Sequence, residues 1–252
     1  MPEAEPAEET LSPSLRMASL GSLPAFEMKY LVSEALASQI ERLAKARLSL
    51  DPHGDPSLGN GYRTTTLYCD TAQLDVFYGQ RPFRRRKHRL RRYGNEPWIF
   101  LERKYRRADR VKKRRSTIAD TELSRLATAG SNEIWAGHWF HQQLVRRQLL
   151  PACRIAYHRV AYLGASGDGA MRLTFDREIR GYLTDEWRVD PFDDGLPILA
   201  SEVICELKFS NTMPVLFKEI VETLHLTPTR VSKYRTFMRA VSSQLAKGSL
   251  HA

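Results

Sequence analysis

Several stretches of the chain alternate apolar and charged residues, which is the pattern of a β-strand because successive side chains point to opposite faces. Residues 201–211, SEVICELKFSN, place Glu206 and Lys208 opposite a face of Val, Cys, Leu and Phe. Residues 26–32, FEMKYLV, and 171–179, MRLTFDREI, repeat this arrangement. We therefore predict a strand in each segment, with its charged side chains on one face.

The remaining elements are predicted from β-forming runs, turn residues and the helical spacing of apolar residues. Further strands are expected at 62–71, at 152–163 and in a meander of three basic segments, 84–93, 97–107 and 110–118. Helices are expected at 71–79, 120–150, 213–226 and 232–246, and after Ser33, a capping residue followed by Leu36, Ile40 and Leu43 at helical spacing. Residues 51–61 are rich in Gly, Pro and Asn and indicate a loop.

An acid and a base two residues apart recur in three predicted strands, as Glu27 with Lys29, Glu102 with Lys104, and Glu206 with Lys208. A solvated sheet face would explain one such pair, but three predicted strands, those of Glu27, Arg172 and Glu206, also carry an apolar face opposite the charges. A closed antiparallel β-barrel accounts for both faces, because its apolar outside packs on helices while its charged inside lines a wet cavity. The sequence therefore favours an α+β fold in which helices cover a closed antiparallel β-barrel.

Composition and charge indicate a basic globular domain with a polyanionic partner. The chain has 252 residues, 42% of them hydrophobic, and a formal net charge of +10. Residues 1–16 hold four acids and one base, so the rest carries 38 bases against 25 acids, which favours nucleic acid, a membrane surface or a phosphate compound as partner. We predict an acidic, proline-rich disordered tail at 1–24 and a single domain at 25–246.

The cysteines and the hydropathy of the chain indicate a cytoplasmic protein. No apolar run approaches the roughly 20 residues that span a bilayer, and the N-terminus lacks the basic start and apolar core of a signal peptide. Cys69, Cys153 and Cys205 are odd in number and have no metal-ligand spacing, so we interpret them as small buried hydrophobes in a reducing compartment.

Crowded cations inside a closed barrel repel one another unless an anion neutralises them. A phosphate chain would do so through charge-assisted hydrogen bonds from Arg and Lys, and the few glutamates could hold a divalent metal that bridges phosphate oxygens. This combination suits phosphoryl transfer, in which catalysis consists mainly of positioning and charge neutralisation.

Nine short stretches, in order, give the chain a family resemblance. It resembles the VTC domain, a polyphosphate polymerase module of the triphosphate tunnel metalloenzyme (CYTH-like) superfamily, over about residues 26–240. The matching stretches are EMKYLV, LYCDT, KHRLRRY, FLERKYRR, VKKRR, YHRVAY, MRLTFDREI, CELKF and PTRVSKY. Each stretch is weak alone, and their order makes the resemblance strong.

The resemblance implies an eight-stranded antiparallel tunnel in which a metal-dependent polymerase transfers the γ-phosphate of ATP to a growing polyphosphate chain. It implies that the product passes through the tunnel and that the metal is Mn²⁺ or Mg²⁺, held by Glu206 with Glu27 as a helper. The residues it implies as catalytic are Lys29, Arg89, Arg91, Lys104, Arg159 and Arg172. Phosphate binding is implied for those six and for Lys113, Lys208, Arg230 and Lys233.

Two other functions stay open at this stage. Ala25 stands where the wider superfamily often has a first glutamate, which favours synthesis or binding of a phosphate polymer over a two-metal triphosphatase. The chain could still be a triphosphatase of the same fold, or a non-catalytic binder of polyphosphate or nucleic acid. Nucleic acid is disfavoured because the acid–base pairs would set carboxylates against phosphates. A membrane partner and the oligomeric state are left open.

Three further features each have two interpretations. Glu102 either helps to bind the metal or forms ion pairs with its many basic neighbours. His138 and His141 have a spacing that a metal can use, but they lack an obvious third ligand, so we favour aromatic packing. The exposed run 84–86 either collects polyanions or only adds solubility.

Overall fold

The structure is a computed structural model that describes residues 25–107, 110–128, 135–167 and 169–248. The acidic tail predicted at 1–24 lies outside the described residues. None of the helices in the described ranges is long and apolar enough to cross a membrane.

Eight antiparallel strands close into a ring. The strands of the described chain are β1 (Ala25–Val32), β2 (Ser49–Leu50), β3 (Gly61–Asp70), β4 (Arg86–Tyr93), β5 (Trp98–Arg107), β6 (Arg110–Ala119), β7 (Leu150–Ser166), β8 (Gly169–Leu183), β9 (Leu196–Pro197) and β10 (Val203–Phe209). The order around the ring is β7, β3, β4, β5, β6, β1, β10 and β8, and β8 pairs with β7 to close it. The short strands β2 and β9 add to β7 and β8 at the edge. The eight-stranded antiparallel ring implied by the resemblance is confirmed, as is the predicted meander of β4, β5 and β6.

Helices lie on the outside of this ring. They are α1 (Glu34–Lys45), α2 (Asp75–Tyr78), α3 (His138–Arg147), α4 (Val215–Thr223) and α5 (Lys233–Gly248), with 3₁₀ turns at Pro56–Leu58, Phe83–Arg85 and Asp120–Leu126. The prediction of one helical stretch at 120–150 is wrong in part, since it divides into a 3₁₀ segment and α3, and residues 129–134 lie outside the described ranges.

The first helix begins where its capping residue predicts. The amide of Leu36 donates a hydrogen bond to Ser33 Oγ at 3.2 Å, which satisfies one of the free donors of the first turn. The buried face of α1 consists of Ala37, Ile40 and Ala44. Of the three leucine and isoleucine residues that gave the helical spacing, Ile40 is buried and Leu43 is exposed.

The hydrophobic core lies between the outer face of the ring and the helices. One cluster joins the outward residues of β1, β7, β8 and β10 to α1 and α4, for example Phe175, Leu207 and Phe217. A second cluster joins β3, β4, β5 and β7 to α3 and α5, for example Leu90 and Phe237. The apolar faces point outward to the helices and the charged faces point inward, as the alternation predicts. The three cysteines are buried and free.

A buried carboxylate fastens two helices to the end of β3. Asp70 accepts hydrogen bonds from the amides of Val76 and Phe77 at 2.8 and 2.9 Å, which fixes α2. It also accepts a hydrogen bond from the hydroxyl of Tyr234 in the first turn of α5. Asp70 therefore sets where α5 begins, and with it the position of the neighbouring Lys233.

We expect the variant Tyr234→Phe to lose about 1.5–3 kcal/mol of unfolding free energy, because it removes a buried hydrogen bond to a charged acceptor. Urea unfolding followed by circular dichroism measures this change. The matched control Tyr78→Phe alters an exposed tyrosine and should leave the midpoint unchanged. Equal stability of Tyr234→Phe and the native protein would contradict this role of Asp70.

Candidate functional site

The inward-facing residues of the ring converge on one strongly cationic cavity. Its twelve lining residues include eight Lys or Arg side chains and a single carboxylate. They are Lys29, Tyr68, Lys87, Arg89, Arg91, Lys104, Tyr157, Arg159, Glu206, Lys208, Ser232 and Lys233. Ten of the twelve come from six strands of the ring, and Ser232 and Lys233 come from the start of α5. Such a surplus of positive charge in a confined space selects for a multiply charged anion.

Two carboxylates meet at one ammonium group in this cavity. Lys29 Nζ lies 3.3 Å from Glu27 Oε1 and 3.4 Å from Glu206 Oε2. Lys104 Nζ donates to both oxygens of Glu27 at 2.7 and 2.6 Å, and Lys208 Nζ lies 2.6 Å from Glu206 Oε1. Burial opposes the ionisation of both carboxyls, but the ammonium groups outweigh it and hold their pKa values below the ordinary range.

Glu102 is the centre of a second cluster of ion pairs. Its carboxylate is fully buried and accepts hydrogen bonds from Arg89 Nε and Arg115 Nε, each at 2.7 Å. Lys113 Nζ lies 3.6 Å from the same group. Burial alone would raise the pKa of Glu102, and Arg89 and Arg115 reverse this and lower it well below its usual value. Of the two interpretations of Glu102, the structure favours the ion pairs.

Asp176 is a site residue that the sequence reasoning missed. Arg159 binds it through two parallel hydrogen bonds, Nε to Oδ1 at 2.5 Å and Nη2 to Oδ2 at 2.7 Å, and Lys233 forms a third contact from α5. The ring of Tyr157 lies 4.2 Å from Lys233 Nζ and 5.3 Å from Arg159 Cζ. Asp176 continues the alternation of Arg172 along β8, so its inward orientation could have been predicted.

Two of the cavity cations have no carboxylate partner among the described residues. Arg91 Nε donates to Thr66 Oγ1 at 3.3 Å, and Lys87 Nζ donates to Ser232 Oγ at 2.7 Å. Both side chains line the cavity. Burial, followed by repulsion from Lys29, lowers the pKa of Lys87 well below its usual value. These two groups gain most from an anion in the cavity.

Three of the predicted phosphate ligands, Arg172, Lys113 and Arg230, are not among the residues that line the cavity. Arg172 Nη2 donates to Asp51 Oδ2 at 2.9 Å and to Tyr62 Oη at 2.7 Å, toward the other end of the ring. Lys113 faces the interior from β6 beside Glu102. Arg230 is exposed on the segment before α5 and does not line the cavity, although the neighbouring Thr229 amide donates to the carbonyl of Lys29.

The remaining candidates lie on the outside of the ring. His138 pairs with Gln142 on α3, and His141 is buried on the same helix. Residues 84–86 lie in the turn before β4 and at its first residue, outside the cavity lining. In the ranges that the structure describes, no three His, Cys, Asp or Glu side chains form a ready metal site.

The donor set of Glu27 and Glu206 fits a divalent metal that shares its coordination with phosphate. Both carboxylates lie within 3.4 Å of the same ammonium, so their oxygens converge on one point. Mg²⁺ is commonly held by one or two carboxylates together with substrate phosphates and water, without a cage made entirely of protein ligands. Two converging carboxylates beside a cation-lined cavity meet that requirement.

A closed ring of eight strands with a cationic interior and two converging carboxylates defines a tunnel-type fold. The model of the VTC domain matches residues 25–242, which covers most of the sequence. The chain therefore belongs to the VTC domain family. Comparison with curated protein sequences gave no match.

Solved structures of similar shape come from bacteria, archaea and plants. A candidate adenylate cyclase from Bacillus halodurans is 16% identical with a TM-score of 0.49, covering 84% of this chain and 94% of that one. A candidate adenylyl cyclase from Hippeastrum, described as having a dominant triphosphatase activity, is 12% identical with a TM-score of 0.48, covering 86% and 96%. A protein from Pyrococcus horikoshii is 12% identical with a TM-score of 0.46, covering 86% and 99%.

We expect Glu102→Gln to lower the free energy of unfolding by about 3–5 kcal/mol, because the variant leaves Arg89, Arg115 and Lys113 around a neutral amide. Tripolyphosphate should restore part of the loss by neutralising these cations. Thermal unfolding with and without tripolyphosphate measures both effects. The control Glu222→Gln changes an exposed glutamate of α4 and should behave as the native protein. Native stability of Glu102→Gln would rule out a structural role for this cluster.

Proposed function

We propose that the protein is a metal-dependent polyphosphate polymerase that transfers the γ-phosphate of ATP to the end of a phosphate chain in the tunnel. The observation that carries this proposal is the cavity lined by eight cations and one carboxylate, with the two carboxylates Glu27 and Glu206 converging beside it. A triphosphate carries the multiple negative charge that such a cavity selects. The three free, buried cysteines support a reducing compartment, and we place the activity in the cytoplasm.

The residues of the chain position two phosphate groups and neutralise their charge. An oxygen of the chain-end phosphate attacks the γ-phosphorus of ATP, the bond from that phosphorus to the bridging β–γ oxygen breaks, and ADP leaves with the electron pair. Arg91 presents a planar guanidinium group that can bind two phosphate oxygens, because no carboxylate of the described chain holds it. Arg89 and Arg159 add their charge to the same cavity while their guanidinium groups are held by Glu102 and Asp176. Lys29 and Lys104 add charge at the point where the carboxylates converge.

Glu27 and Glu206 would hold the divalent metal, which neutralises charge on the phosphate oxygens when it is bound. The reaction needs no dedicated general base, because the terminal phosphate of the chain is already an anionic nucleophile near neutral pH. Arg91 and Lys87, which have no carboxylate partner in the described chain, are the cations that can contact phosphate without breaking an ion pair.

Incubation of the protein with ATP and Mn²⁺ or Mg²⁺ tests the reaction directly. We expect long phosphate chains on a stained gel together with ADP. Release of orthophosphate without polymer would show that the protein is a triphosphatase. Absence of turnover with every nucleotide and metal tested would show that it only binds polyanions.

The variant Glu206→Gln should abolish turnover and retain tripolyphosphate binding, because the amide is a poor metal ligand and the cationic lining is intact. Turnover is measured by ADP release, and binding is measured by calorimetry. The matched control Glu96→Gln alters a glutamate in the turn between β4 and β5 and should keep full activity. Unchanged turnover of Glu206→Gln would reject its role at the metal.

Tripolyphosphate binding should weaken as the pH rises through the pKa of Lys113. Burial lowers the pKa of Lys113 to about 8, although the carboxylate of Glu102 opposes the shift. A lysine is charged below its pKa and neutral above it, so the cavity loses positive charge as pH rises. We expect affinity to fall about tenfold from about pH 7 to about pH 9, the loss of roughly one hydrogen bond to a charged group.

Calorimetry at constant ionic strength measures this fall, and Lys113→Arg is the matched variant. Its guanidinium stays charged across the range, so the fall in affinity should become smaller. An equally steep fall in Lys113→Arg would show that other groups dominate the pH dependence.

A further inference from the structure

A cluster of basic side chains lies on the outer face of the β4–β6 meander and at the end of α3, separate from the cavity. These residues form the outer basic patch, which consists of Arg86, Arg103, Lys112, Arg114, Arg146 and Arg147. Arg103, for example, directly precedes Lys104, which lines the cavity. Because the side chains of a strand alternate between faces, the patch residues of the three strands point away from the cavity.

Like charges face one another directly in this patch. The register of β5 with β6 sets Arg103 opposite Arg114, an arrangement of equal charges that destabilises a sheet. Burial, followed by repulsion from Arg114 and Arg86, lowers the pKa of Arg103. Burial, followed by repulsion from Arg86 and Arg146, lowers the pKa of Arg147. Three strands and the end of α3 therefore bring their positive charges to one place.

No ion pair neutralises this patch in the described part of the chain. The described outward positions of β4, β5 and β6 hold no Asp or Glu, and neither does α3. Outward arginines elsewhere on the ring are paired. Arg92, near the other end of β4, contacts Asp120 and also Asp190, at 3.1 Å, and Arg177 on β8 lies 2.8 Å from Glu34. The outer face therefore neutralises its arginines elsewhere and leaves this patch cationic.

Guanidinium groups cover the aromatic rings of the patch. Arg114 Cζ lies 4.3 Å from the ring centroid of Trp139, whose Nε1 donates to Ser116 Oγ at 2.9 Å. Arg86 Cζ lies 5.5 Å from the ring centroid of Tyr105. Sites for single-stranded nucleic acid use open aromatic faces on which bases stack. Rings already covered by arginine favour a ligand that offers phosphate groups and no bases.

The patch lies close to the cavity along the same strands. Lys104, which lines the cavity and is 24% exposed, pairs with Lys113 on β6. This pair lies three register positions from Arg107 and Arg110, the last pair of β5 with β6. The path from Lys104 over this end of the sheet to Arg114 covers about seven residues of strand, or roughly 23 Å. An extended phosphate chain can follow that path from the cavity to the patch.

We propose that the outer basic patch is a second binding site for linear polyphosphate, which holds a distal part of the chain whose end lies in the cavity. This inference rests on the proposed function and adds a preference for long phosphate chains over short ones. A chain that occupies both sites binds more tightly than either part alone, because its second contact is intramolecular. Tripolyphosphate is too short to span the path, so it binds in the cavity alone.

Calorimetry in EDTA without nucleotide compares tripolyphosphate with long-chain polyphosphate at about 0.15 M salt, where exposed charges more than about 8 Å apart are largely screened. We expect Arg103→Gln/Arg114→Gln to bind the long chain about tenfold more weakly, the loss of two exposed charge contacts. Its affinity for tripolyphosphate should stay native. The matched control Arg42→Gln/Arg239→Gln removes two exposed arginines of α1 and α5 and should bind both ligands as the native protein does.

The thermal midpoint of Arg103→Gln/Arg114→Gln should not fall, because the variant relieves repulsion between facing charges. A second variant, Lys112→Gln/Arg146→Gln, changes two exposed residues of the same patch and should give the same loss of long-chain affinity. Native affinity of both variants for the long chain would overturn the inference. An equal loss in the control would also overturn it, because net charge alone would then explain the effect.

Two further outcomes separate this inference from its alternatives. Absence of tripolyphosphate binding to the native protein rejects the proposed function, whereas tripolyphosphate binding with native long-chain affinity in both patch variants rejects only the second site. The same variants are titrated with duplex DNA and with phosphatidylserine vesicles. Weaker binding of either one, with polyphosphate binding unchanged, would assign the patch to nucleic acid or to a membrane and overturn the inference.

Discussion

Repulsion among cations confined inside a closed ring is the constraint on which this structure depends. Guanidinium and ammonium groups taken out of water repel one another strongly at low effective dielectric constant. Three buried carboxylates, Glu102, Asp176 and Glu206, each contact two or more of these cations and offset part of their repulsion. The balance is incomplete, because Arg91 and Lys87 have no carboxylate partner in the part of the chain that the structure describes. The remaining positive charge is what an anionic substrate can neutralise.

The alternation of charged and apolar residues was sufficient to predict which face of β1, β8 and β10 points inward. Local periodicity decides that question, because side chains of a strand alternate between faces. The partners could not be predicted, since they depend on register and stagger around the ring. Lys104 contacts Glu27, 77 positions earlier, and Lys233 contacts Asp176, 57 positions earlier. The exposure of Arg230 could not be predicted either, because the local sequence does not reveal the path of the chain before α5.

The inward-facing rings of Tyr93 and Phe100 could not be predicted from the sequence for a different reason. Tyr93 and Phe100 look like ordinary strand residues, and β-strands favour aromatic side chains on either face. Their burial inside the ring follows only from the pairing of β4 with β5 and from the arginines that cross to them. Asp70 gives a parallel case on the outside, where one carboxylate fixes both α2 and the start of α5. Buried polar contacts such as these fix the start of α5, which supplies Ser232 and Lys233 to the cationic cavity.

The apolar faces of the strands point outward, and this determines how the protein aggregates when it unfolds. The helices cover much of that surface, and Phe175, Leu207 and Leu90 would become more exposed to water if a helix detached. Wide apolar sheet surfaces that become exposed lead to self-association. A bound polyanion acts on the other side of the same strands, so it cannot shield this surface. Aggregation on heating should therefore begin with helix detachment, whether or not an anion occupies the interior.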